Sequence, residues 1–313
     1  MKDREKNFVS AVIYIYHAYD RITDFLEMVL EILETNFEHS EIICVNDCSE
    51  DKSVEKIKQI SKKATRTSIS VLNMSYFHGL ELAMNAGVDL AIGDFVFEFD
   101  TTEIDYDKNE IMKLYRRSLE GYDIVSAVPD KKEKFTSRCF YRVFSLFSNL
   151  PYEMNTERFR ILSRRVINRI SSMNRTVPYR KAVYANCGLK TDTLNYCCRK
   201  NIPGITQDKK EKRYRTRLAV DSMLLFTEAG YRFSVFMTVI MMIMSTFMIA
   251  YSLITYVTAH PVAGWTTTIL FLSVVFLGLF GIMTIIIKYL QLLLELIFKR
   301  KQYNFESIEK ITK

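Results

Sequence analysis

Gly93–Asp105, GDFVFEFDTTEID, decides how the rest of the chain is read. Phe95, Phe97 and Phe99 alternate through it as a strand would, and Asp100 stands where that strand should run out into a loop. Open α/β sheets place their ligands at such carboxyl ends. The loop residues Thr101, Thr102, Glu103 and Asp105 are polar and suit a hydrated, charged ligand such as a sugar diphosphate with its metal. Solvated turn residues closing a strand are the plainer alternative.

Upstream, Phe8–Tyr16 (FVSAVIYIY) is a β-branched and aromatic run that predicts a first buried strand. After a polar turn, Ile22, Phe25, Leu26, Val29, Ile32 and Leu33 fall on one helical face. Glu41–Val45 is a second strand ending in Asn46, Asp47, Cys48 and Ser49, with Ser49 placed to cap the next helix. Ser68–Asn73 is a third strand, followed by a helix from about Gly79 to Ala91. This alternation predicts an α/β fold with a largely parallel sheet and right-handed crossovers. The loops at Asp47 and Asp100 then open at one edge.

Of the 313 residues, 43 are Lys or Arg and 36 are Asp or Glu, but charge thins out after Arg232 and returns at Lys288. Ser234–Val257 and Trp265–Ile287 are uncharged runs long enough for the ~20 residues a membrane-crossing helix needs. Arg232 flanks one end, and Lys288, Lys299, Arg300 and Lys301 the other, so both termini and the globular domain are expected in the cytoplasm. The expected organisation is a domain over 1–212, a basic amphipathic juxtamembrane helix over 213–232, a transmembrane hairpin over 233–298 and a basic tail over 299–313, with a helix packed into the domain as the competing reading of Tyr214–Ala229. The net charge of +7 is densest from Arg199 to Arg217. That run suits anionic lipid headgroups or a phosphorylated substrate rather than nucleic acid. Cysteines 44, 48, 139, 187, 197 and 198 show no metal spacing and read as reduced, mostly buried thiols.

The run VNDCSEDKS, residues 45–53, resembles the V-[DN]-D-G-S-x-D-x-[ST] signature of family 2 glycosyltransferases, and GDFVFEFD, 93–100, resembles the approach to their metal-binding D-x-D. TSRCFYRVFSLFSN (136–149), FRILSRRVINRI (159–170) and KRYRTRL (212–218) resemble the polyprenyl-phosphate branch. That branch includes dolichol-phosphate mannose synthases and bacterial undecaprenyl-phosphate glucosyltransferases, which end in two transmembrane helices. The resemblance implies a GT-A-like, mostly parallel sheet flanked by helices, followed by a C-terminal two-helix transmembrane hairpin. It implies a plasma-membrane enzyme that moves a sugar, with inversion, from a nucleotide sugar to a polyprenyl phosphate for cell-envelope glycans.

Residue by residue, the resemblance makes Asp100 the first aspartate of D-x-D, a catalytic, donor-binding and metal-binding position. Tyr16, Asp47 and Gly79 match donor-binding positions. Arg138, Arg160, Arg213, Arg215 and Arg217 fall in segments that hold the donor diphosphate and the acceptor phosphate, work suited to arginine's planar fork. Ordinary surface or lipid-facing charge is the alternative for any of these arginines, Arg213 and Arg215 above all. Thr102 replaces the second aspartate and Ile104 the following glutamine. Tyr14, His17 and Ala18 replace a proline, an asparagine and a glutamate. Arg158 replaces an aspartate, and Phe77 and His78 replace the Asn and Phe of an R-N-F-G turn. A Mg or Mn ion is then expected to be held weakly, by Asp100 and largely by the donor's own oxygens. His17 and His78 read as loop residues, with a metal or phosphate role as the alternative. A silent subunit bound to a partner glycosyltransferase, or a homo-oligomer, is the contrasting class of function.

Overall fold

Short segments rich in Val, Ile and Phe form the centre of the sheet: β1 (Val9–Ile15), β2 (Ser40–Asn46), β3 (Ser68–Met74) and β4 (Phe95–Phe99). They lie parallel in the order β4, β1, β2, β3, with Ala11 of β1 opposite Ile42 on one side and Phe97 on the other. The computed structural model describes residues 4–130, 157–172, 179–198, 209–226 and 305–310, with isolated positions between 236 and 293. Helices α1 (Ile22–Asn36), α2 (Ser53–Ile60) and α3 (Leu80–Leu90) make the crossovers.

Both faces of these strands are covered, which is why they read as apolar runs rather than as alternating ones. Val9, Ala11, Ile13 and Ile15 join Phe25, Leu26 and Val29 of α1 in one core. Val12, Ile43 and Val45 join Ala83, Met84 and Ala86 of α3 in a second. Gly87 lets α3 lie close to the sheet: a Cβ there would fall 2.4 Å from Val12 and 2.6 Å from Val45.

Beyond β4 the chain forms α4 (Asn109–Leu119), β5 (Ile124–Pro129), β6 (Phe159–Ser163), α5 (Arg164–Ser172), α6 (Arg180–Asn186), β7 (Thr191–Tyr196) and α7 (Lys209–Phe226). Strand β6 enters antiparallel between β4 and β5, and β7 lies parallel to β5. Phe305–Lys310, inside the segment read from sequence as a basic tail, forms β8 and pairs antiparallel with β3. It covers the edge of β3, whose N–H and C=O groups would otherwise stay unpaired.

The chain divides into two compact units: Met1–Ser145 with Leu150–Leu218 and Arg300–Lys313, and Leu146–Asn149 with Ala219–Lys299. Among the described residues no helix is long and apolar enough to cross a membrane. The hairpin expected over 233–298 lies almost wholly outside those residues. Of the cysteines described, Cys44 and Cys187 are buried whereas Cys48 and Cys197 are exposed, so burial is less general than expected.

Two details of the β2–α2 loop depart from the sequence reading. Ser49 does not cap α2; Asp51 does the nearby work, accepting the Ser53 N–H at 3.1 Å and the Tyr19 N–H at 3.0 Å. Cys48, which stands where the family signature has glycine, has φ 56. A side chain in that left-handed region costs ~1 to 2 kcal/mol, part of which glycine returns through its greater unfolded-state entropy. Cys48→Gly is therefore expected to raise stability by roughly 0.5 to 1 kcal/mol in chemical denaturation. A loss of stability would show that the thiol makes a compensating contact.

Candidate functional site

Asp47 follows β2 directly, and its N–H donates to the Ile15 carbonyl at 2.9 Å, which fixes it against the end of β1. Its side chain is wholly buried. One carboxylate oxygen accepts the His78 N–H at 2.8 Å; the other accepts the Gly79 N–H at 2.8 Å and the Tyr14 hydroxyl at 3.0 Å. Burial pushes the Asp47 carboxyl up, against the pull of those three donors. Burial, and then Asp47 itself, push the Tyr14 hydroxyl well up, so Tyr14 remains a donor.

Gly79 immediately precedes α3 with φ 84, a conformation open to glycine. Tyr16 packs against His17 at 4.3 Å and Phe77 at 4.8 Å between ring centroids. His17 has φ 47, and its N–H donates to Ser49 Oγ at 3.2 Å. His78 stacks on Tyr76 at 4.0 Å. These residues make an aromatic-walled corner at the carboxyl ends of β1 and β2.

Two strands away, Asp100 ends β4 inside a buried ionic cluster. Arg160 lies opposite Glu98 in the β4–β6 pairing, so the cross-strand register alone brings cation and carboxylate together. Arg160 Nη2 donates to Asp100 Oδ2 at 2.7 Å, and its other nitrogens lie 3.2 Å from Glu98 and 3.2 Å from Glu157. Arg180, the first residue of α6, spreads its fork over three carboxylates: Nη2 to Asp100 at 2.7 Å, Nη1 to Glu98 at 2.8 Å and Nε to Glu81 at 3.0 Å. Its backbone N–H also donates to Glu81, at 2.9 Å. The Tyr184 hydroxyl donates to Glu98 at 2.8 Å. Both guanidiniums are buried, as charges are only when paired. Burial pushes the Asp100 carboxyl up, but Arg160 and Arg180, helped by Lys181, outweigh it and hold it down at about 2.

At the rim, Arg158 lies 3.0 Å from Glu103 and 3.2 Å from Asp105, and Arg21 lies 3.8 Å from Glu103. The arginine at 158, unexpected from the family pattern, thus balances the acidic loop that follows Asp100.

The structure brings Asp47 and Gly79 together by a direct hydrogen bond, packs Tyr16 against Phe77, two residues before Gly79, and joins Asp100 to Arg160. Arg213 and Arg217 are exposed on α7, which also carries Arg215. Arg138 lies outside the described residues. Arg180, Glu81 and Tyr184 went unrecognised because they belong to no motif, and Tyr214 because the basic residues of KRYRTRL drew the reading instead. Glu98 was findable: a carboxylate between Phe97 and Phe99 in a five-residue strand needs a buried cation.

The expectation that Asp100 ligates a metal does not fit this donor set. Each of its oxygens has a guanidinium nitrogen at 2.7 Å, and buried Thr102 supplies no carboxylate. Among the described residues no group of three or more His, Cys, Asp or Glu could hold a metal ion. Magnesium and manganese need an oxygen cage, and here arginines stand in the cation's place.

Arg180→Met would leave Glu81, Glu98 and Asp100 facing one another. It is expected to lower stability by ~3 to 5 kcal/mol, the range for breaking a buried ion pair, and a loss below 1 kcal/mol in denaturant melts would refute the cluster's role. Because Asp100 is held below its ordinary 3.8, its contribution is complete above that value and disappears as pH falls through about 2. Asp100→Asn should accordingly flatten the acid limb of the stability profile in that window, measured beside the wild type.

Sequence comparison shows the family, and structural comparison shows the fold. The profile of "Glycosyl transferase family 2" matches residues 10–188. An uncharacterized glycosyltransferase of Synechocystis, sll0501, is 30% identical over 188 residues, 58% of this chain and 58% of the relative, so the chain spans under two thirds of that relative's length. A bactoprenol glucosyl transferase of Shigella phage SfV is 25% identical over 277 residues, 86% of this chain and 88% of its own. The M. tuberculosis glucosyl-3-phosphoglycerate synthase shares the fold, with a TM-score of 0.50 at 12% identity over 70% of this chain and 80% of that one. With the α/β sheet and the signature residues Asp47 and Asp100 at its carboxyl edge, the chain belongs to the family 2 glycosyltransferases.

Proposed function

We propose that this glycosyltransferase moves a sugar from a nucleotide sugar to a polyprenyl phosphate, undecaprenyl phosphate being the acceptor to test first. The observation that carries it is the pairing of two prepared ends on one sheet edge: the Asp47 corner after β2 and the Asp100 cluster after β4, with β1 between them. Neighbouring strands lie ~4.8 Å apart, so the two ends are about 10 Å apart, the scale of a sugar diphosphate. The relative that acts on bactoprenol aligns along most of the chain, which supports the lipid acceptor.

Tyr16, Asp47 and Gly79 take the base and ribose end of the donor, and Asp100, held by Arg160 and Arg180, lies at the sugar end. Arg138, Arg213, Arg215 and Arg217 are assigned to the acceptor phosphate. Lys210, Arg213 and Arg217 are exposed and fall on one side of α7 by their three- and four-residue spacing. An oxygen of the lipid phosphate attacks the anomeric carbon from the face opposite the leaving group. The bond from that carbon to the nucleoside diphosphate breaks, its electron pair leaves with the diphosphate, and configuration inverts. The acceptor is already an anion near neutral pH, with a second pKa of ~6, so no strong base is required. Catalysis is then positioning and charge stabilisation.

The hairpin over 233–298 anchors the enzyme in this proposal, with the globular domain on the cytoplasmic side. Supporting it, Phe236, Ile243 and Phe247, and likewise Leu279, Ile286 and Leu293, are apolar, helical and exposed. The last three stand seven residues apart in sequence, a spacing that suits one lipid-facing side of a membrane helix.

Purified full-length protein in lipid nanodiscs, given radiolabelled UDP- and GDP-sugars with undecaprenyl phosphate, is expected to yield an organic-extractable lipid-linked sugar. No such product from any donor would sink the proposal. In a variant whose native cysteines are replaced by serine, Ala263→Cys in the intervening loop is expected to react with an impermeant thiol reagent only from the non-cytoplasmic side; labelling from the cytoplasm alone would remove the hairpin.

A further inference from the structure

Tyr214 belongs to α7, yet its ring sits in the Asp47 corner. Its Cζ is 2.2 Å, and its Cε1 and Cε2 are 2.5 Å, from where a side chain on Gly79 would begin. Its edge meets Phe77 at 5.9 Å between centroids, and its hydroxyl accepts the Glu81 backbone N–H. The N–H groups leading into α3 and in its first turn are therefore divided between two distant residues. His78 and Gly79 donate to Asp47, and Glu81 donates to Tyr214. Such groups have no partner within their own helix and must find one elsewhere.

We propose that Tyr214 is a positioning residue for the nucleotide end of the donor, acting through Gly79 and Phe77 on Asp47; this rests on the nucleotide-sugar reading above. Gly79 has no side chain with which to hold its left-handed conformation, and the Tyr214 ring supplies the packing that does so. With Gly79 and His78 fixed, both oxygens of Asp47 are fixed, and the wall formed by Phe77 and Tyr16 keeps its shape. Losing the ring should therefore weaken nucleotide capture while sparing the transfer step at Asp100. The same helix exposes Arg213 one residue before and Arg217 three residues after, so a phosphate bound there would act on the helix that holds the donor corner.

Tyr214→Ala and Tyr214→Phe separate ring from hydroxyl. In full-length protein in nanodiscs, titrated with UDP and with GDP, Tyr214→Ala is expected to weaken binding roughly tenfold, ~1.4 kcal/mol, with Tyr214→Phe within about threefold of wild type. In turnover, the donor KM should rise by the same factor in Tyr214→Ala with kcat nearly unchanged. Hydrogen exchange at the His78 and Gly79 amides, which needs no nucleotide, should quicken in Tyr214→Ala and return towards wild type in Tyr214→Phe. Wild-type affinity in Tyr214→Ala, a fall in kcat without a rise in KM, or unaltered exchange would each overturn the proposal. A wild type that binds neither nucleotide would instead remove the donor reading, and this proposal with it.

Discussion

The bracket of two arginines on Asp100 is the interaction on which the rest of the site depends. Arg160 comes from β6 and Arg180 from α6, while their carboxylates come from α3, β4, the loop after β4 and Glu157 just before β6. Six parts of the chain are thereby tied at one buried point. Desolvating such ions costs several kcal/mol each, and the cost is met only where every charge finds well-placed partners. Arg180 meets this fully, with a carboxylate oxygen within 3.0 Å of each of its three nitrogens. Arg160 meets it less completely: its Nε and Nη1 have ionic neighbours at 3.2 Å but no aligned hydrogen bond. The cluster is better suited to fixing one geometry than to adding net stability.

That geometry also ties the two ends of the site together. Glu81, one of the three acids on Arg180, lies in the first turn of α3, whose start is held by Asp47 through His78 and Gly79. The path from Asp100 to Asp47 therefore runs through one guanidinium and one turn of helix. A rigid link of this kind suits the proposed transfer to a lipid phosphate, whose rate would rest on where groups are placed rather than on proton transfer.

The strands, helices and parallel character of the first hundred residues were legible because each strand is an apolar run and each helix an apolar stripe. Asp47 and Asp100 were legible as loop carboxylates at strand ends. Their surroundings were not, because a residue's partners in a sheet depend on register across long sequence separations: Glu98 meets Arg160, 62 positions later, only through the β4–β6 pairing. Arg180 lies further still, in a helix whose sequence carries no pattern pointing back to the sheet, and Tyr214 lies in the KRYRTRL run, where the arginines rather than the aromatic carried the reading. Strand β8 was hidden for a different reason. FESIEK is short and half charged, the composition of an edge strand that is defined by its partner rather than by its own apolar content.

The departures from the family pattern make electrostatic sense when taken together. Glu81, Glu98, Asp100, Glu103, Asp105 and Glu157 crowd one end of the sheet, and two like charges 4 Å apart repel by about 4 kcal/mol at a near-surface dielectric of ~20. Such a concentration of acid needs cations from somewhere. A carboxylate at position 102 would have added another charge beside Asp100, and an aspartate at 158 would have left Glu103 and Asp105 without their arginine. With Thr102 neutral and Arg158 basic, the acids are answered from within the chain by Arg21, Arg158, Arg160 and Arg180. Restoring one carboxylate alone would therefore disturb the balance rather than rebuild a metal cage, since Asp100 would still be committed to its two arginines. The change at 102 and the change at 158 are two halves of one charge arrangement, and neither can be understood from its own motif.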